Sequence, residues 1–161
     1  MTHRPSSDLQ PDAHRRPVMV GWKEYVEFPD WGVHRVKAKI DTGARTSVLD
    51  VVRYELHNAP DGGLVAELGL HLHPKRPDEL TMVRVPVLRT VVVRNSGGAS
   101  EERPLIETTL RLGPVVKRIL LTVTRRASMR FRMLLGRKAL EGDFVVDVSR
   151  KYLCRRMKDE G

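Results

Sequence analysis

Ile40-Asp41-Thr42-Gly43-Ala44-Arg45-Thr46-Ser47 places one carboxylate in a glycine-containing, hydroxyl-rich turn directly after a strand-like run. Before the turn, Val36, Ala38 and Ile40 alternate with Arg35, Lys37 and Lys39, the period-two pattern of a strand with one buried and one solvated face. That strand delivers Asp41 at its end. Gly43 gives the turn a backbone freedom closed to residues with a side chain, and Thr42 and Ser47 bring hydroxyls able to bond a carboxylate or nearby backbone. Asp-Thr-Gly is also an ordinary β-turn sequence, so the tripeptide alone does not settle the chemistry.

Composition sets the bounds. The 161 residues suffice for one domain that buries roughly 70% of its unfolded surface. Cys154 is the sole cysteine, which excludes an intrachain disulfide and fits a reducing compartment. No stretch approaches the roughly 18 consecutive apolar residues of a membrane span, and the first residues lack the apolar core of a signal peptide. The expectation is a soluble, cytoplasmic protein with no membrane partner. A net charge of +9 and a pI near 10.2 favour anionic partners, either an acidic polypeptide or nucleic acid. Aromatic residues make up 5% of the chain, which argues against a base-stacking platform and puts nucleic acid second.

Along the chain, residues 1–16 mix Pro, Ser, His, Asp and Arg without an apolar period and are expected to be a disordered leader. A folded domain is expected over 17–149, followed by a basic tail over 150–161. Val18-Met19-Val20-Gly21-Trp22 opens a first strand, Phe28 to Gly32 form a turn, and Val33 starts the strand leading to Asp41. Val48 to Leu56, Leu64 to Leu72 and a long run over 81–94 read as further strands, the last with a bulge or bend at Pro86. Leu105 to Leu112, Val115 to Thr124 and Met133 to Leu135 follow. A short helix over 136–142 and a final strand from Phe144 to Val148 complete the pattern. Short strands punctuated by turn residues predict an all-β, closed or nearly closed barrel with one short C-terminal helix.

A second segment, Phe131-Arg132-Met133-Leu134-Leu135-Gly136-Arg137, runs from a short apolar strand into Gly-Arg and a helical turn. Together with Ile40-Asp41-Thr42-Gly43-Ala44, it resembles the retropepsin-like aspartic proteases. Closer still is one bacterial branch, labelled RimB or ATP-dependent zinc protease. Gly21-Trp22-Lys23-Glu24-Tyr25-Val26, Lys37 to Ser47, Glu102-Arg103-Pro104-Leu105-Ile106 and Met129 to Arg137 carry that likeness, which spans Val18 to Val148 in order.

The resemblance implies the closed barrel of the acid-protease type and the following roles. Asp41 would be the catalytic carboxylate, with Thr42 bracing it and Gly43 admitting backbone N–H groups. Leu134, Leu135 and Gly136 would form the support strand. Residues 93–103 would be a flap, with Ser96, Gly97 and Gly98 near substrate, although a mobile surface hairpin reads the same way. Ala44, Arg45 and Arg137 would bind substrate. Retropepsins commonly carry Asp where this chain has Arg45, paired to the Arg after the support-strand glycine. Without it, Arg45 and Arg137 need an acidic substrate carboxylate or an internal acid such as Glu107.

Hydrolysis by carboxylates needs two of them about 3 Å apart sharing one proton. The chain has one Asp-Thr-Gly, and Asp50, Asp61, Asp143 and Asp147 lack that setting, so the mechanism requires a homodimer with Asp41 at the two-fold axis. The branch label implies zinc and ATP, yet there is no His-Glu-x-x-His, no paired cysteine and no phosphate loop, so no cofactor is expected. His71 and His73 would share a strand face and could chelate a metal, but two histidines on an exposed strand are more often plain surface residues. Basic runs at Arg35-Lys37-Lys39, Arg125-Arg126-Arg130-Arg132 and Arg150-Lys151-Arg155-Arg156 are solvated faces or a surface that recruits an acidic chain. The branch is associated with a ligase that adds glutamates to a ribosomal protein, which suggests a glutamate-tailed polypeptide as substrate. The reading is an aspartic endopeptidase, with a non-catalytic β-barrel module for acidic peptides or a basic RNA- or ribosome-binding domain as alternatives.

Overall fold

The computed structural model of the protein describes residues 16–72, 75–76, 78–94, 97–125 and 130–154. The expected leader lies almost wholly outside the described residues, as do Ser96, His73, Arg126, Arg155 and Arg156. Among the described residues, twelve strands and one short helix make an all-β fold: β1 (Val18–Val20), β2 (Lys23–Phe28), β3 (Val33–Ile40), β4 (Ser47–Asp50), β5 (Arg53–Asn58), β6 (Leu64–Leu70), β7 (Thr81–Val87), β8 (Arg89–Arg94), β9 (Ser100–Leu112), β10 (Val115–Thr124), β11 (Met133–Leu135), α1 (Arg137–Leu140) and β12 (Phe144–Val146). A 3-10 turn, Pro29–Trp31, joins β2 to β3.

Seven strands form the main sheet in the order β10-β4-β11-β3-β2-β9-β8, and β9 also pairs with β10. Hydrogen bonding therefore returns to its starting strand. The 13 residues of β9 make this possible: Ser100 to Leu105 pair with β8, Leu105 to Leu112 pair with β10, and Arg111 faces Glu27 of β2. A separate three-stranded sheet has the order β5-β6-β7, and β1 pairs with β12.

Alternation fills the core as the sequence predicts for β3. Val33, Val36, Ala38 and Ile40 are buried, whereas Lys37 and Lys39 are exposed. One irregularity was not anticipated: Val26 faces Val36 and Phe28 faces Val33, so His34 and Arg35 together oppose Glu27. This bulge turns two consecutive side chains outward and puts Arg35 at φ 60°, in the left-handed region. Inside the ring, Val26, Phe28, Leu49, Leu110, Leu112, Leu121, Met133 and Leu135 are each at most 1% exposed. Removing that apolar surface from water is the main favourable term in the fold.

Three expected strands are each divided in two, and in each case neighbouring amides serve different partners. Val51 donates to Thr124 of β10 while Val52 donates to Gly69 of β6, so the run over 48–56 leaves the main sheet between them. Leu88 donates to Leu105 of β9, which ends β7 and starts β8. The break is thus at Leu88 and not at Pro86. Proline sits within β7, opposite Val65, on an edge strand where a missing N–H is tolerated. The first strand breaks at Gly21-Trp22, where Trp22 donates to Arg150 and a Cβ on Gly21 would lie 2.3 Å from the Arg150 oxygen. At the other end β12 stops at Val146, because Asp147 turns the chain by accepting Ser149 N–H and Oγ–H.

Two buried polar clusters fasten the C-terminal segment. Glu24, fully buried, accepts backbone N–H bonds from Gly21 at 2.7 Å, Leu153 at 2.9 Å and Cys154 at 3.2 Å. Lys117 of β10 bonds Asp143 at 2.6 Å and the Ala139 carbonyl at 2.8 Å, tying α1 and the entry to β12 to the sheet. Among the described residues no helix is long and apolar enough to cross a membrane.

Candidate active site

β3 brings Asp41 to the end of the main sheet, where it is half-buried. Its N–H donates to the Leu135 carbonyl at 2.9 Å, which continues the parallel pairing of β3 with β11 beyond Ile40. The turn then closes on itself. Ala44 N–H donates to the Asp41 carbonyl at 3.2 Å, and Gly43 N–H donates to Asp41 Oδ1 at 3.0 Å. One carboxylate oxygen is thereby fixed in orientation by backbone.

The support strand reaches this turn from the other side. β11 lies between β3 and β4, parallel to the first and antiparallel to the second. Its following residue, Gly136, donates to the buried Ser47 hydroxyl at 2.9 Å. A Cβ at Gly136 would stand 2.8 Å from the Thr46 carbonyl carbon, 2.9 Å from its oxygen and 3.0 Å from the Ala44 oxygen, all backbone atoms. Only glycine fits there. The first amides of α1 continue the clamp, Arg137 donating to Ala44 O at 2.7 Å and Lys138 to Arg45 O at 3.1 Å. Arg137 Nη1 adds a bond to the Thr42 carbonyl at 3.1 Å. Asp41, Thr42, Gly43, Ala44, Leu135, Gly136 and Arg137 are thus one bonded unit. Leu134 faces Lys39 and Val48 in the same ladder.

Beside that unit runs a groove of about 820 Å³, bounded by the 44–48 segment, by β8 and β9, and by β10. Its apolar lining includes Val48, Val91, Leu105 and Ile119, and its cationic lining is Arg45, Arg89, Arg103, Arg118 and Lys138. Three of the five cations are matched by acids: Arg103 by Glu101 at 2.9 Å, Arg118 by Glu107 and Asp30 at 2.9 Å each, and Lys138 by Glu141 at 3.5 Å. Arg45 and Arg89 form no ion pair among the described residues. Glu107, offered by the sequence as a partner for Arg45 or Arg137, is bonded to Arg118 instead.

The Asp41 turn after β3 and the short strand before Gly136 are where the sequence places them. Sequence reading missed Arg89, Arg103, Arg118 and Lys138, which come from three separate strands and α1 and share no local pattern. The β8–β9 hairpin occupies the region expected for a flap, with Gly97 and Gly98 exposed at its tip and outside the groove lining. Further down the same hairpin, Val91 and Val93 contribute to the wall.

No group of three metal-type donors lies at Asp41 among the described residues. One such group, Glu55, His57 and Glu67, sits on β5 and β6 with donor atoms within 4.8 Å of one another. Glu67 there already faces Arg84 at 3.3 Å. β6 ends at Leu70, so His71 lies beyond the strand on which its pairing with His73 was expected.

Comparison with known proteins gives a consistent placement. A crystal structure of Lpg0085, a protein of unknown function from Legionella pneumophila subsp. pneumophila str. Philadelphia 1, superposes with a TM-score of 0.71 at 20% identity, covering 86% of this chain and 99% of the other, and so shares the fold. A probable alpha-L-glutamate ligase from Desulfotalea psychrophila is 37% identical over 131 residues, and one from Parasynechococcus marenigrum is 36% identical over 137. Those matches cover 80% and 82% of this chain but only 28% of each relative's length. The profile of the RimB-like family, described as retropepsin-like aspartic endopeptidase RimB, matches residues 19–157. On that match, the chain belongs to the RimB-like family of retropepsin-like aspartic endopeptidases.

Proposed function

We propose that the protein is an aspartic endopeptidase whose carboxylate dyad is completed by Asp41 of a second copy, and that it acts on acidic or glutamate-tailed polypeptides. The observation that carries the reading is the fixed Asp41: a carboxylate at a strand end, oriented by Gly43 N–H at 3.0 Å and clamped through Gly136 and Arg137. A dyad of two such groups holds one proton, because like charges about 3 Å apart cannot both ionise. One carboxylate takes a proton from the attacking water while the other gives its proton to the carbonyl oxygen. Collapse of the tetrahedral diol then breaks the C–N bond as the leaving nitrogen is protonated. On this reading the strand ring is the closed barrel of the acid-protease type, the β8–β9 hairpin is the flap, and the protein works in the cytoplasm.

Substrate charge follows from the groove. Arg45 and Arg89 line it without carboxylate partners among the described residues, and guanidinium groups match carboxylates bidentately. The relatives named probable alpha-L-glutamate ligase add support, since a region shared with proteins of that name suits an enzyme working on glutamate-bearing chains, a glutamylated ribosomal protein being one such chain. Dimerisation has a candidate surface in Met19 and Val145, which face each other across β1 and β12 at 49% and 46% exposure, and in nearby Val148 at 79%.

Mass-spectrometric cleavage of a glutamate-tailed peptide by wild type and Asp41→Asn tests this. Asparagine keeps the shape and removes the ionisable proton. Cleavage lost in the variant, and unchanged by added zinc or ATP, is the expected result. Equal behaviour of the two proteins would leave the groove as a binding site for acidic chains without hydrolysis.

A further inference from the structure

The outer face of β2 and β3, with the segment after β12 packed on it, gathers six cations outside the groove. Lys23, Arg35, Lys37, Lys39, Arg130 and Lys151 form no ion pair among the described residues. Three of the chain's eight aromatic residues, Trp22, Tyr25 and Tyr152, stand half-buried among them, and the buried Phe131 packs edge-on against Trp22. The rings hold the cations in place. Arg35 lies 4.6 Å over Tyr25, Tyr25 stacks on Tyr152 at 4.8 Å, and Lys23 lies 5.3 Å from Tyr152 and 4.8 Å from Trp22. The result is a continuous ladder in which a stacked ring pair is flanked by positive charges.

Concentrating like charge in this way has an energetic cost that a ligand can relieve. The Lys23 ammonium is held below the usual lysine range, first by partial desolvation and then by Lys151, Lys37 and Arg130. Arg35 is kept in a left-handed conformation that a residue with a side chain adopts at a penalty. Its bulge is what turns it onto Tyr25 beside Lys37.

Each end of the ladder opens into a concavity with an aromatic wall. One, of about 380 Å³, is lined by Trp22, Arg150 and Lys151. The other, of about 660 Å³, is lined by Tyr25, Arg35, Lys37 and Arg130 among others. Between them, alternate β3 side chains repeat every ~6.8 Å, a spacing that suits successive phosphates of an extended strand. A polyglutamate chain would satisfy the charges but carries no planar ring to stack on the aromatic walls, whereas nucleobases do.

We propose that this face binds single-stranded nucleic acid, with phosphates on Lys23, Arg35, Lys37 and Lys39 and bases in the concavities walled by Trp22 and Tyr25. The site shares no lining residue with the groove beside Asp41, so binding is expected to be independent of peptidase activity. It also revises what composition implied: aromatics are scarce in the chain, but three of the eight are half-buried on this one face.

Fluorescence anisotropy with labelled single-stranded RNA and DNA of about 12 nucleotides, a duplex RNA and a polyglutamate peptide tests the proposal over a salt series. The wild type and Asp41→Asn should bind the single strands alike, with log K falling against log salt at a slope of about −2 to −3 for four phosphate contacts. Lys37→Gln/Lys39→Gln should weaken binding at least about tenfold and flatten the slope by about 1.4. Arg35→Gly should also weaken binding while keeping or raising the melting temperature, because glycine accepts the positive φ; that combination separates lost contact from lost fold. A preference for RNA over DNA, or parity between them, identifies the natural polymer within the proposal. Absence of single-strand binding at about 50 mM salt would overturn it, as would binding indifferent to these substitutions, or polyglutamate bound as tightly at the same face.

Discussion

Gly136 donates its backbone N–H to the Ser47 hydroxyl across 2.9 Å, and that bond joins the support strand to the turn carrying Asp41. Ser47 is 2% exposed, so neither group has water as a substitute partner. Ser47→Ala should cost about 1–3 kcal/mol in urea unfolding, the penalty of one buried donor left unsatisfied. Gly136→Ala should cost about 3 kcal/mol or more, because its new methyl meets backbone atoms that cannot rotate away. Both variants should lose activity beyond their loss of folded protein, since each loosens the Asp41 turn.

The buried Lys117–Asp143 pair supports a different part of the molecule. With side chains 11% and 3% exposed and a separation of 2.6 Å, removal of either partner strands a charge. Lys117→Met and Asp143→Asn should each destabilise by about 3–5 kcal/mol. The double change Lys117→Met/Asp143→Leu should recover much of that loss. Thermal melts of the three proteins check the pattern.

Burial pushes the Cys154 thiol up to about 12, and the nearby Glu24 carboxylate adds to the effect. Iodoacetamide at mildly alkaline pH should therefore label the unfolded chain quickly and the native protein hardly at all. The same shift has a consequence for stability. With a folded value above the reference of 9.0, the thiol's contribution is fully present below pH 9 and is lost as pH rises toward 12, because the unfolded chain releases its proton first. Replacing Cys154 with Ala should flatten the alkaline limb of the stability profile.

In the groove, Arg45 and Arg89 are expected to act on substrate affinity. Arg45→Ala and Arg89→Ala should each raise KM for a glutamate-tailed peptide about tenfold, the size of one lost charge-assisted contact, with kcat near wild type. A neutral peptide should show little change. Added salt should weaken the acidic peptide more than the neutral one.

Much of this architecture is legible in the sequence because it rests on local signals. The period-two run into Asp41, the apolar Met133-Leu134-Leu135 and the Gly-Arg after it are where the sequence places them. Strand ends were harder to read. Val51 and Val52 have the same character, yet their amides serve different sheets, a choice made by strands distant in the chain. Glu24 reads as a solvated residue in an alternating strand, and it is buried because three backbone amides, two of them from residues 153 and 154, converge on it. The Arg35 bulge breaks the period only by one residue. The groove's cations come from β8, β9, β10 and α1, so only the folded sheet assembles them.

The central claim is that Asp41 acts in pairs across two copies. It is tested most directly by co-refolding wild type with increasing fractions of Asp41→Asn and measuring peptide cleavage at constant total protein. If the dyad spans a dimer, activity falls as the square of the wild-type fraction, leaving about a quarter at an equal mixture. A linear fall, with about half remaining, would show that each chain works alone and would contradict the account.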